Sequence, residues 1–348
     1  METYHTRYKD VDQEAETQLS HLLRANPIPL NYQLIEFDMA DKSFRTYNAS
    51  RWQQRIATIS TTEQGEQVRL NYINCSSPSE AGLKGTILLI HGFPQTSYQF
   101  RHVITPLSDA GYRVIAPDYR GAGKSSKPVL GYEKSQMAQD IHLLIQSHLS
   151  IKDKIHVVGH DIGGMVAFAY ASQYPDDVAS VIWGECPLPG SSFYEDIKGT
   201  PGVFHFVFHQ VPDLPEALIA GREKIYLQHF FDKLLYNTAA ITSEDLEQYT
   251  VAYAQPGAIS AGINVYRAFA KDAEENKKWL KDNGKLNVPA MGMVGKESFL
   301  AASTESMLKE VHEEQQVETF LVEEASHYIA EENPESFVKG VLGFVRKH

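Results

Sequence analysis

The chain has 348 residues and a formal net charge of −12, which counts against nucleic acid or an anionic membrane surface as the main partner, because both would repel it. Its two cysteines, Cys75 and Cys186, are too few and too far apart in sequence for a disulfide framework or a metal-ligand pair, which fits a reducing compartment. Length alone allows one α/β core with an insertion.

Residues 1 to about 50 are polar, and Pro27 and Pro29 interrupt any long helix. They form an N-terminal extension (1–54) of no readable role. Met1 to Asp12 lacks the apolar stretch of a signal peptide, and no apolar run is long enough to span a bilayer. The expected location is therefore cytoplasmic, with no membrane insertion.

From Arg55 onward, short apolar runs rich in β-branched residues alternate with helical patterns. The expected strands are Val68 to Ile73, Thr86 to Ile90, Arg113 to Ala116, Ile155 to Val158, Val178 to Trp183, Ala290 to Val294 and Val317 to Val322. These runs do not alternate polar with apolar, so the expectation is burial on both faces in a mostly parallel, doubly wound α/β sheet. Between Pro187 and about Lys285 the strand signals stop, and an aromatic-rich helical stretch runs from Phe204 to Trp279. It reads as a helical lid inserted into the core. The expected organisation is 1–54 extension, 55–186 core, 187–286 helical cap and 287–348 core.

Lys154 to Val158 reads as a strand and Met165 to Tyr174 as a helix, joined by six residues, Gly159-His160-Asp161-Ile162-Gly163-Gly164. A turn this sharp needs small residues beside its central one. That central residue, Asp161, is a carboxylate where a serine nucleophile would stand in an esterase. A carboxylate attacks an sp³ carbon and becomes an ester, so an epoxide or an alkyl halide is the expected electrophile. The plain alternative is that Asp161 only caps the following helix.

Upstream, His91-Gly92-Phe93-Pro94 follows an apolar strand and places a backbone N–H where charge would develop. The N–H groups of Phe93 and Ile162 would together form an oxyanion hole. The nearby Gly121-Ala122-Gly123-Lys124-Ser125 resembles a phosphate-binding loop, but the first glycine that loop requires would be residue 118, which is Asp118. Nucleotide binding is excluded on that ground.

Late in the chain, His327 follows the last expected strand and precedes a closing helix from Pro334 to Lys347. It suits a general base on a hydrolytic water. Two acids could orient it. Glu185 follows the strand ending at Trp183, beside the nucleophile strand, while Glu297 lies in Gly295-Lys296-Glu297-Ser298-Phe299, with Ser298 where many members of the family this chain resembles carry aspartate. The first is favoured and the second stays open.

These residues resemble a known family. The HGFP element, the GHDxGG turn, the DYRGxGxS loop and the late histidine look like the epoxide hydrolase branch of the α/β-hydrolases. Glu185-Cys186-Pro187-Leu188-Pro189-Gly190, Phe204-His205-Phe206, Leu218 to Glu223 and Tyr266-Arg267-Ala268-Phe269 are similar to the Cif-type epoxide hydrolases. The resemblance covers about Arg55 to the C-terminus. It implies an α/β-hydrolase fold with a cap, an orienting acid at Glu185, and His205 and Tyr266 as the lid pair that holds the epoxide oxygen.

The expected reaction opens a small hydrophobic epoxide with water to a vicinal diol, without cofactor or metal. A homodimer is left open. Haloalkane dehalogenase is the first alternative, although Ile162 and Phe93 stand where such enzymes offer a halide-binding Trp or Asn. A ligand-binding scaffold without catalysis is the second.

Overall fold

The computed structural model describes residues 51–77 and 82–348. The N-terminal extension therefore lies outside the described residues, apart from its last four. The first strand among the described residues is β1 (Gln53–Thr61), which pairs antiparallel with β2 (Gln67–Cys75). Sequence patterning had not pointed to β1. It is an edge strand among the described residues, exposed along most of its length, and it carries no apolar run to announce it.

The other strands are β3 (Gly85–Ile90), β4 (Tyr112–Pro117), β5 (Ile155–His160), β6 (Val178–Gly184), β7 (Ala290–Gly295) and β8 (Val317–Val322). They form one eight-stranded sheet in the order β1-β2-β4-β3-β5-β6-β7-β8, in which β2 runs antiparallel to both its neighbours and every pair from β4 to β8 is parallel. The expected seven strands are all present. The expectation of burial on both faces fails at β8, where Glu318, Thr319 and Leu321 are exposed because the strand closes the far edge.

Helices cover both faces, as parallel crossovers require. On one side α1 (Ile104–Asp109) packs with the closing helix Pro334–Val345 through Ile104, Leu107, Phe337, Val341 and Phe344. On the other side lie α2 (Lys134–His142) and α3 (Ile162–Gln173), with Met137, Ile141, Val166 and Phe168 in the core. Neighbouring residues of β3 show the division: Leu88 and Ile90 join one cluster, Ile87 and Leu89 the other.

Between β6 and β7 come seven helices: α4 (Ser192–Ile197), α5 (Phe204–Phe208), α6 (Leu214–Ile219), α7 (Glu223–Leu234), α8 (Ser243–Tyr253), α9 (Ala258–Arg267) and α10 (Phe269–Asn283). The aromatic-rich stretch is thus cut into short pieces. Pro201, Pro212, Pro215 and Pro256 cannot continue a helix, and Gly257, at φ 79°, supplies the left-handed residue before α9. After β7 follow α11 (Ala301–Val311), α12 (Ile329–Glu332) and α13, the closing helix. No helix among the described residues is long and apolar enough to cross a membrane.

A buried ion pair fastens the helical insertion to the core. Lys134 Nζ, at the start of α2, donates to Asp272 Oδ2 at 2.6 Å and to the Val265 carbonyl at 2.7 Å, while the Lys134 N–H donates to Asp272 Oδ1 at 2.8 Å. Both side chains are almost fully buried. Removing one partner leaves the other charged and unpaired, so Asp272→Asn is expected to destabilise the protein by about 3–5 kcal/mol, read from the denaturant midpoint.

Candidate active site

The parallel pairing of β5 with β6 sets His160 beside Gly184, so the residues that follow, Asp161 and Glu185, leave the sheet side by side. Both have φ near 55°, and the Asp161 N–H donates to the Gly184 carbonyl at 3.0 Å. The turn is tighter than the sequence suggests. β5 extends to His160 and α3 begins at Ile162, leaving Asp161 alone between them instead of a six-residue join. At φ 55°, ψ −124° it occupies a backbone region that is costly for any residue with a side chain.

Close approach explains the small neighbours. A Cβ on Gly163 would lie 2.0 Å from the Ile90 carbonyl oxygen, and one on Gly92 would lie 2.5 Å from Asp161 Cβ. The loop after β3 can therefore press its backbone directly against the Asp161 side chain. Asp161 stands at the N-cap of α3, yet its side chain makes no capping hydrogen bond there. Instead its Oδ1 accepts the Phe93 N–H at 2.8 Å, and the Ile162 N–H also addresses the carboxylate.

On the other oxygen's side stands His327. Its Nε2 is 4.0 Å from Asp161 Oδ2, and its Nδ1 is 3.1 Å from Glu185 Oε2. Glu185 is fully buried and held by two more donors, the Gly295 N–H at 2.7 Å and Ser298 Oγ at 2.9 Å. Ser298, which sits where an aspartate was sought, thus anchors the acid that lies in its place. Glu297 is exposed and its side chain takes no part in this group. The structure joins Asp161, His327, Glu185, Phe93 and Ile162 and leaves Glu297 outside.

Burial pushes the Asp161 carboxyl up from its ordinary value, and the His327 charge, the Ile162 and Phe93 N–H groups and Lys134 oppose that push. Glu185 is also raised by burial, against its bond to His327 and the donors from Gly295 and Ser298. For His327 burial acts downward, but Glu185 and then Asp161 outweigh it and leave the imidazole above its ordinary value. Glu185 on Nδ1 fixes the neutral tautomer with its lone pair on Nε2, facing Asp161.

The helical insertion closes over this group with aromatic side chains. The Phe93 ring meets His209, Phe230, Tyr253 and Tyr266 edge-on, with centroids 5.3–5.9 Å apart. His205 on α5 and Tyr266 on α9 stand together, their centroids 5.3 Å apart and planes at 83°. Burial raises the Tyr266 hydroxyl well above its ordinary value, and the Asp161 charge adds to this. Burial holds His205 well below its own, with His209 and His327 adding to the effect. Tyr266 is thus a protonated phenol and His205 a neutral imidazole, each with one hydrogen to donate.

His160 was missed by sequence reasoning. Its Nε2 lies 2.6 Å from the His327 carbonyl, which can only accept, so the hydrogen sits on Nε2. A residue of the turn itself therefore holds the backbone of the base. The histidine in GHD was visible, but nothing local indicated a partner 167 positions away.

Comparison with known proteins bears on the family and the fold. A family model described as alpha/beta hydrolase fold matches residues 85–334. The soluble epoxide hydrolase of Corynebacterium sp. (strain C12) is 34% identical over 282 residues, covering 79% of this chain and 93% of that protein. The crystal structure of Cfl2 from Burkholderia cenocepacia superposes with a TM-score of 0.77 at 29% identity, covering 85% of this chain and 96% of the other. The epoxide hydrolase CorEH gives a TM-score of 0.74 at 30% identity, covering 85% and 99%. With a family model matching residues 85–334 and a relative 34% identical over most of both chains, the chain belongs to the α/β-hydrolase fold family, as a hydrolase.

Proposed function

We propose that the chain is an epoxide hydrolase that works through a covalent ester on Asp161, with the helices of 187–286 serving as its cap. The observation that carries this reading is the division of labour between the two oxygens of Asp161. Oδ1 is held by the Phe93 N–H, while Oδ2 remains on the His327 side. A carboxylate so held is oriented to attack with one oxygen and to keep the other in an oxyanion hole.

In the first step, an Asp161 Oδ2–carbon bond forms as the ring carbon–oxygen bond breaks, and the ring oxygen takes the Tyr266 proton while His205 donates a hydrogen bond to it. In the second step, His327 Nε2 removes a proton from water as its oxygen adds to the ester carbon. The charge that develops on Oδ1 is met by Phe93 and Ile162. Collapse releases the diol oxygen, which takes the proton from His327, and the proton left over as Asp161 returns to carboxylate restores the Tyr266 phenol. The names of the Corynebacterium relative and of CorEH support epoxide chemistry.

A haloalkane dehalogenase would use the same ester but needs a hydrogen-bond donor for the departing halide. The side chains of Phe93 and Ile162 are apolar, which favours the epoxide. Incubating the protein with a panel of hydrophobic epoxides and, separately, haloalkanes tests the choice. Vicinal diol without halide release is expected, and halide release without diol would overturn the reading.

The two candidate acids separate on the same assay. Glu185→Gln is expected to lower kcat by about a hundredfold, because the base loses its charged orienter. Glu297→Ala, which removes an exposed side chain, is expected to leave kcat within about twofold. Comparable losses from both would contradict the assignment.

A further inference from the structure

Glu332 is a buried carboxylate with no cation paired to it among the described residues. Its side chain instead accepts four backbone N–H groups. Oε1 takes those of Ser326 at 3.1 Å and Tyr328 at 2.9 Å, the residues on either side of His327. Oε2 takes those of Tyr236 at 2.7 Å and Asn237 at 2.8 Å, just past the end of α7 in the helical insertion. Every lone-pair direction of the carboxylate is used, and one pair of donors belongs to the base loop while the other belongs to the insertion. The His327 N–H donates to Leu234, the last residue of α7, at 3.2 Å, so the two segments also touch directly.

We infer that Glu332 is a positioning residue for His327, joining the base loop to the end of α7 so that the imidazole is aligned only when the helical insertion is seated on the core. The inference rests on the proposed role of His327 as base for ester hydrolysis. The physical reason is specific to a carboxylate. Fixed backbone N–H groups cannot turn away or lose their protons, so an acceptor at both oxygens is required. An amide offers one acceptor and one donor, and its NH₂ would face two N–H groups and leave them buried without partners.

The consequence falls on one step. Attack by Asp161 does not use His327, whereas hydrolysis of the ester does. Disturbing Glu332 should therefore slow the second step and spare the first. With ester breakdown slowed, kcat and KM fall together and kcat/KM, which reports ester formation, stays level. A loss of correctly folded protein would lower kcat at constant KM instead.

The experiment compares wild type, Glu332→Gln, Glu332→Asp and His327→Gln with one epoxide that the wild type turns over, measuring kcat, KM and, by rapid quench and intact mass, the fraction of protein carrying an ester. Glu332→Gln is expected to lower kcat and KM together by roughly tenfold to a hundredfold, the loss typical of a misaligned reacting group, with ester accumulating during turnover. Glu332→Asp keeps the charge but is too short to span both pairs of donors, and is expected to show the same pattern more weakly. It carries the test if the Gln variant does not fold. A fall in kcat at unchanged KM without ester, or no change in either variant, would overturn the role of Glu332. Absence of ester in His327→Gln would instead overturn the reading of the site on which it rests.

Discussion

Asp161→Asn is expected to lower kcat by on the order of 10⁴-fold or more while leaving the fold intact. The amide keeps an oxygen for the Phe93 N–H, so the turn at φ 55° retains its partner. What it loses is the anionic oxygen on the His327 side, 4.0 Å from Nε2. A neutral amide oxygen is too weak a nucleophile to open a ring even when the leaving oxygen is hydrogen-bonded. Removing the charge also takes away one cause of the raised Tyr266 hydroxyl and of the raised His327 imidazole. Turnover within about tenfold of wild type, in protein with an unchanged circular dichroism spectrum, would show that the carboxylate is not the nucleophile.

His327→Gln is expected to separate the two steps. Ring opening needs Asp161 and the donors on the insertion, so the ester still forms. Water then lacks a base, and kcat falls by on the order of 10³-fold. Intact mass should rise by one substrate molecule, and peptide mapping should place it on Asp161. An adduct on any other residue, or wild-type turnover with no adduct in the variant, would contradict the sequence of events.

The parts of this site that the sequence makes legible are those coded locally. Asp161 sits among glycines that a sharp turn demands, and His91 to Pro94 follows an apolar strand. His327 lies between a strand and the closing helix. Glu185 is legible because adjacent parallel strands bring their ends together, and His205 and Tyr266 were reached only through resemblance. The supporting contacts are not coded this way. Ser298 meets Glu185 across 113 positions, and Glu332 meets Tyr236 across 96. Each depends on where the insertion folds back, which no local pattern records.

The fold shows the same division. Strands buried on both faces, such as β3 and β5, appear as apolar runs. The edge strands do not behave alike: β1 gave no signal because it is mostly exposed, whereas β8 kept a strand-like run but was expected to be buried. The helical stretch was recognised as helical, yet its division into short helices followed from prolines whose effect on packing the periodicity did not carry.

The most direct test of the central claim follows the oxygen. With enzyme in excess over epoxide in oxygen-18 water, a single turnover through the ester leaves the new diol hydroxyl with an oxygen from Asp161 and puts the label into the Asp161 carboxylate. The reason is that water attacks the ester carbon, whose other oxygen is held by Phe93 and Ile162. Label is expected in the peptide that carries Asp161 and none in the diol. Label in the diol with an unlabelled Asp161 would mean that water opens the ring directly, and would contradict the ester route.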